Sequence, residues 1–339
     1  MQMNDADVRE LRDRWKAGKY MEVIDAIKRA LPEDAWVPLC DSLPHFVDGS
    51  PTLDLRGAML IGGKLKNLEL AGSHLGFGVF DATQFEEVGF QDAILDGASF
   101  KGCEFYLAQM LPIYGDGTDF RHAHFRKSFI HYAKLSNADF SGATLSDGCL
   151  ESSELIKCNF SGMLAERCRW DWNTSTRCDF VATRFTECEL TVTRFDCARL
   201  INATFEDCDL RGVDFRGADL TSVRFVGGTF GDVPHGGSTY RTRFDDTPEA
   251  RRAVASSSTT ENRHAIEWCP VVLGSSEPVG QVTSARLKGM PGEVVPQSGW
   301  WVSPALGKHG RCYFKAGEKF PDIKSTDWGL VIWTYNSAD

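Results

Sequence analysis

Residues 133–160 read AKLSNADFSGATLSDGCLESSELIKCNF, and every fifth residue from Leu135 to Phe160 is Leu or Phe. Followed outward, that beat runs from Leu55 to Phe230 without an insertion or deletion. Of the 36 positions in this span whose number is divisible by five, 30 are Leu or Phe, and Met110, Ile130 and Trp170 are also large and apolar. Only Gly115, Ala165 and Ser175 break the row. Two residues before each beat, 28 of the 36 positions hold Ala, Cys, Gly, Ser or Thr, so a small residue is paired with most of the large ones. A period of five suits neither an α-helix nor a simple amphipathic strand. On an extended segment the small residue and the large one lie two apart and face the same way, inward, while their neighbours face out. The remaining residue must turn the chain, and Gly57, Gly62, Gly72, Gly97, Gly102, Gly142, Gly162, Gly212 and Gly217 stand there, as a tight corner favours. A short fixed period of this kind predicts a mainly β fold, a parallel β-solenoid.

Units such as Ala138-Asp139-Phe140-Ser141-Gly142, Val213-Asp214-Phe215-Arg216-Gly217 and Ala218-Asp219-Leu220-Thr221-Ser222 resemble the pentapeptide-repeat pattern A(D/N)LXX. The resemblance implies a right-handed quadrilateral parallel β-helix with four units per coil, hence about nine coils. One coil then carries Trp170 between Ala165 and Ser175, a large side chain offset by two small ones, as close packing requires. Gly115 is expected to mark a local distortion.

Four segments follow. Residues 1–50 read as a helical N-terminal cap, with Val8, Leu11 and Trp15 on one helical stripe and Met21, Ile24, Ile27 and Leu31 on a second. A solenoid exposes apolar surface at its ends, which terminal elements must cover. Residues 51–232 form the β-helix. Residues 233–261 hold an exit loop, a short helix over TPEARRAVA with Pro248 in its first turn, and a polar SSSTT linker. Residues 262–339 read as a small Trp-rich, mainly β domain. Within it, Val295 to Trp301, Arg311 to Glu318 and Trp328 to Trp333 resemble a module of proteins in bacterial type VI secretion toxin and immunity systems.

Composition removes several function classes. At 339 residues, 42% hydrophobic and 25% charged, the chain is of the soluble globular kind. Its longest apolar run falls short of the ~20 residues of a membrane helix. Its start lacks the basic and apolar regions of a signal peptide, which points to the cytoplasm. A net charge of −10 disfavours direct nucleic-acid binding. Six of eleven cysteines, Cys103, Cys158, Cys168, Cys178, Cys188 and Cys208, occupy the small inward slot and read as core. His122, His124 and His131 fall near Tyr106, Tyr114 and Tyr132, but no cysteine or carboxylate spacing around them suggests a metal site. No nucleophile elbow, phosphate loop or paired catalytic acid stands out, so neither enzyme activity nor a cofactor is expected.

With a twenty-residue coil, one outer face collects Leu111, Phe129, His131, Tyr132, Glu151, Arg169 and Trp172, and Tyr114 is a further candidate. Aromatics with Arg on an otherwise polar face form a candidate anchor for a protein partner; Trp300 and Trp301 are further candidates. With the C-terminal resemblance, the expectation is a protein-binding scaffold, foremost an immunity protein or adaptor for a secreted toxin. The alternative is a DNA mimic acting on gyrase or another topoisomerase, as in some pentapeptide-repeat proteins. It needs a concentrated negative field. Residues 53–232 carry 26 acidic against 18 basic residues, and the stripe Asp119, Asp139, Asn159, Asp179 meets Arg199 before Asp219, so the charge is mixed.

Overall fold

The computed structural model describes residues 5–16, 43, 45, 52–236, 238–256 and 262–271, and, nearer the C-terminus, 288–289, 294–295, 299–302, 311–321, 325–326, 329–330 and 333–337. The chain divides into two compact units, Met1–Val271 and Val272–Asp339.

The first unit is a parallel β-solenoid of about ten turns. Its pairing register advances by twenty residues: Lys64 opposes Gln84, His124 opposes Thr144, and Arg184 opposes Thr204. Four five-residue units therefore make one coil. The side centred on residues 65 to 225 is a nine-stranded sheet, from Lys64–Lys66 to Arg224–Val226. The next side contains a three-stranded sheet, Gln109–Met110, Phe129–His131 and Cys149–Glu151. A third contains a five-stranded sheet from Ala93–Ile94 to Thr174–Thr176, and the fourth is a ladder of single bridges such as Asp119 to Asp139.

Inside, like residues stack on like. Phe80, Phe100, Phe120, Phe140, Phe160 and Phe180 form one continuous column with ring centroids 4.7–5.3 Å apart. The small slot does more than make room. Its Thr118, Ser128 and Thr183 hydroxyls each donate to the carbonyl 23 residues earlier, at 2.8–3.1 Å. The Cys168 thiol does the same to Leu145 O at 3.1 Å, as does Cys103 to Phe80 O at 2.9 Å. A donor so placed is satisfied without water, which is why polar small residues are tolerated in the core. All six slot cysteines are buried and free.

Corners are made by left-handed residues. Gly57, Gly62 and Gly142 have φ of 66° to 69°, yet Asn137, Tyr132 and Trp172 hold the same conformation at 53° to 58°. Asp or Asn just before the large residue braces the corner. Asp139 Oδ1 accepts from Ser141 N at 2.9 Å, Asn159 Oδ1 from Ser161 N at 3.0 Å, and Asp179 Oδ1 from Val181 N at 3.0 Å. This self-contained turn rewards short acceptor side chains.

Trp170 is fully buried and meets Phe160, Phe180 and Phe185 edge-on at 5.3–6.3 Å, with Ala165 and Ser175 buried on the sides next to it. Gly115, in contrast, marks no distortion. It stays in register opposite Leu135, and a Cβ there would lie 2.3 Å from the Thr118 hydroxyl, so Thr118 fills the room. The irregularity is four residues earlier, where the Leu111–Pro112 peptide is cis.

At the N-terminal end, the helix Asp5–Asp13 lies on the first coil so closely that a Cβ on Gly57 would sit 2.7 Å from the Leu11 carbonyl carbon. Trp15 is buried and donates to Arg56 O at 2.8 Å, and Arg14 grips both oxygens of Asp54 at 2.8 and 2.9 Å. Burial raises the cost of charging Asp54, but Arg56 and Arg14 outweigh it and hold the carboxyl well below its usual range. The second expected helix, around Met21 to Leu31, lies outside the described residues.

The ladder runs beyond residue 232, where the five-residue rhythm ends. An antiparallel hairpin, Asp232–His235 with Ser238–Arg241, interrupts it. Arg243 then bridges to Asp214 and Phe244 stacks on Phe215 at 4.8 Å, 29 residues on instead of 20. After the helix Pro248–Ala255, capped by Thr247, strand Glu267–Cys269 pairs parallel to Arg243–Asp245 and Trp268 stacks on Phe244. These added strands account for the turn beyond nine. The second unit is a small β structure in which Gly299–Val302 pairs antiparallel with Arg311–Phe314 and Trp333–Ser337.

Candidate partner-binding face

The three-stranded side and the corner after it bring the sequence candidates together. In the strand Phe129–His131, Ile130 points into the core, so Phe129 and His131 project outward. Tyr132 occupies the following corner and is 64% exposed; Phe129 is 41% exposed. Leu111, one coil earlier, is half-buried, and Tyr114, past its corner, is exposed. The imidazole of His131 lies between its aromatic neighbours, 6.3 Å from Phe129 and 6.2 Å from Tyr132.

Trp172 stands at the same corner two coils on, but it is not bare. His235 and Tyr240 of the hairpin meet its indole edge-on at 4.7 and 5.2 Å. Tyr240, itself exposed, thus extends the aromatic face from a segment outside the repeat. Sequence reading had no handle on this, because nothing in GDVPHGGSTYR sets where the hairpin folds back.

Beneath Phe129 and Tyr132 lies a polar cluster that the sequence reading did not assemble. Glu151 sits directly above His131 in the ladder, and Cys149 above Phe129. His131 Nδ1 is 2.6 Å from Glu151 Oε1, and its Nε2 is 3.0 Å from Cys149 Sγ. Nε2 is placed to accept the thiol proton, while Nδ1 lies at ion-pair distance from the carboxylate. Arg169, half exposed, closes the group with Nη2 2.7 Å from Glu151 Oε1. Burial, with help from Arg169, lowers the basicity of His131 against the pull of Glu151. Burial first, and then the Glu151 charge, pushes the Cys149 thiol up to about 11. The expectation that no carboxylate or cysteine spacing supports His131 is therefore overturned: offsets of 18 and 20 residues become contacts across one coil. His122 and His124 do not join it. His122 is a corner residue, and His124 Nδ1 bonds Thr144 Oγ1 on the nine-stranded side.

The order Cys–His–Glu is that of an acyl-transfer triad. Cys149, however, is only 1% exposed, so a carbonyl carbon cannot reach its sulfur, and a thiol of raised pKa is a poor nucleophile.

Two family models, "Pentapeptide repeat region" over residues 165–233 and "Pentapeptide repeats (8 copies)" over residues 116–142 and 130–162, match the chain. Both models fall within the solenoid. Among solved structures, this chain is similar to HetL of the cyanobacterium Nostoc, a protein involved in heterocyst differentiation regulation. That match has 19% identity over 49% of this chain and 86% of HetL, with a TM-score of 0.28. It is also similar to QnrB1, a plasmid-mediated fluoroquinolone resistance protein, with 22% identity over 48% of this chain and 90% of that one, at a TM-score of 0.27. A pentapeptide-repeat protein of the Arabidopsis thaliana thylakoid lumen gives 16% identity over 30% and 65%, at a TM-score of 0.22. Likenesses this low say nothing of what this chain binds. No curated protein sequence matches the chain.

Trp300 and Trp301 belong to the strand Gly299–Val302 of the second unit, where the register shifts between them.

Proposed function

We propose that this pentapeptide-repeat chain is a non-enzymatic protein-binding scaffold, and within that class an immunity protein, or an adaptor, for a secreted bacterial toxin. The observation that carries the reading is the exposure of Phe129 and Tyr132 on a hydrogen-bonded β-face, with Tyr114 one coil before and Trp172 and Tyr240 beyond. Aromatic side chains lose little conformational freedom on binding and bury large areas, so a rigid row of them is what a protein interface uses as an anchor. The backbone beneath is fixed by two ladders per strand, so the face needs no ordering when the partner arrives. The toxin assignment rests on the resemblance of the C-terminal segments. The proposed place of action is the cytoplasm; among the described residues no helix is long and apolar enough to cross a membrane.

The DNA-mimic alternative is weakened by how the acidic residues are used. Asp119, Asp209 and Asp214 each bond a corner amide and pair with Arg121, Arg211 and Arg216 at 2.5–2.6 Å, and Asp179 pairs with Arg199. Carboxylates neutralised at contact distance add little to a field felt by a distant partner.

Co-expression with the toxin encoded by the neighbouring gene tests the proposal. Relief of killing together with a purified complex is the expected result; undiminished killing with no complex contradicts it.

A further inference from the structure

We propose that His131, Cys149 and Glu151 form a binding site for a borderline-soft divalent cation, zinc foremost. The inference stands independently of the protein-binding reading. Among the described residues this is the group whose nitrogen, sulfur and carboxylate atoms all lie within 4.8 Å of one another. A thiolate, an imidazole and a carboxylate are the donors zinc prefers, and three protein ligands with a fourth position left to water make an open site.

The donors are also oriented for it. Cys149 Sγ and His131 Nε2 lie 3.0 Å apart, within reach of a thiol-to-imidazole hydrogen bond. A tetrahedral ion with ordinary Zn–S and Zn–N bonds holds such a pair about 3.5 Å apart. The side chains therefore need to part by only about half an ångström for the ion to replace the proton. The thiol proton leaves to solvent, and no electron changes hands. Glu151 offers a carboxylate oxygen as the third ligand, within 4.8 Å of the other two donor atoms.

Arg169 explains how the site keeps its charge balance without a metal. Its guanidinium sits on Glu151 at 2.7 Å, where the cation's charge would fall, while about half of its side chain remains in solvent. The cysteine ladders of the core lack this chemistry. Cys168, Cys188 and Cys208 bond backbone carbonyls and face no imidazole or carboxylate.

The full chain, reduced and stripped by a chelator, is titrated with cobalt(II). One equivalent is expected to raise a sulfur-to-cobalt absorption band that zinc then abolishes. Cys149→Ser is expected to lose the band while keeping the far-ultraviolet circular dichroism of the parent. His131→Ala and Glu151→Gln, at partly exposed positions, are expected to weaken binding by about tenfold or more. Arg169→Gln, which removes a competing cation, is expected to bind as tightly or more tightly. Absence of the band in the parent protein overturns the proposal. So does a band that survives in Cys149→Ser, which would place the metal at another cysteine. If Cys149→Ser fails to fold, unchanged affinity in both His131→Ala and Glu151→Gln overturns it as well.

Discussion

Trp170 carries the largest side chain buried in the solenoid, and its coil closes around it because Ala165 and Ser175 give up volume on either side. Replacing it with alanine leaves a cavity that a hydrogen-bonded coil cannot collapse to fill. Trp170→Ala is expected to cost about 3–5 kcal/mol, read as a lowered midpoint in urea unfolding. A midpoint close to that of the parent would contradict the four-sided packing. Ser175 makes the opposite case. Its hydroxyl and the Trp170 indole nitrogen are both buried without a hydrogen-bond partner. Ser175→Ala, which removes an unpaired polar atom, is expected to be neutral or to stabilise by up to about 1 kcal/mol. At this scale the sequence was an accurate guide inside the barrel, because every inward residue is named by its number in the repeat. Outside it was poorer. Cys149 stands in an outward slot and carries no local motif, so only stacking Glu151 on His131 and Cys149 on Phe129 reveals the cluster.

At the level of the element, the N-terminal helix and the first coils form a unit held by charge as well as by packing. Arg14, Asp54 and Arg56 interlock there, and His74 sits one coil above Asp54. Burial, aided by Arg56, lowers the His74 pKa from 6.5 to about 4, with Asp54 opposing. A base held below its ordinary value is folded in the neutral form, so its stabilisation is complete above pH 6.5 and declines as pH falls toward 4. Asp54 has the depressed carboxyl, which stabilises above pH 3.8 and loses that contribution as pH falls further. Acid should therefore loosen this end in two stages, histidine first. His74→Asn retains an acceptor for the Gly76 amide, as Asn159 does for Ser161, but cannot be protonated. Relative to the parent it is expected to gain up to about 3 kcal/mol as pH drops through that window. Thermal melts at a series of pH values read this directly, and parallel curves would contradict it. Elements made by the repeat were legible in the sequence down to their corners. The exit hairpin and the strands Arg243–Asp245 and Glu267–Cys269 were not, because they rejoin the ladder after insertions that shift the count.

Taken whole, the molecule divides its residues between holding the coil and facing outward. Inward residues stack, corner residues turn, and Asp119, Asp179, Asp209 and Asp214 are each tied to an arginine. What remains distinctive outside is the aromatic face bearing Phe129 and Tyr132, legible in the sequence once residues were placed twenty apart, though its extension by Tyr240 was not. Calorimetric titration of the purified protein with the proposed toxin partner tests that face most directly, comparing the parent, the double variant Phe129→Ala/Tyr132→Ala, and Leu164→Ala, an exposed leucine on the nine-stranded side. The account predicts that the double variant, still folded, binds about 100-fold more weakly or worse while Leu164→Ala binds as the parent does. Equal affinity of all three would contradict it.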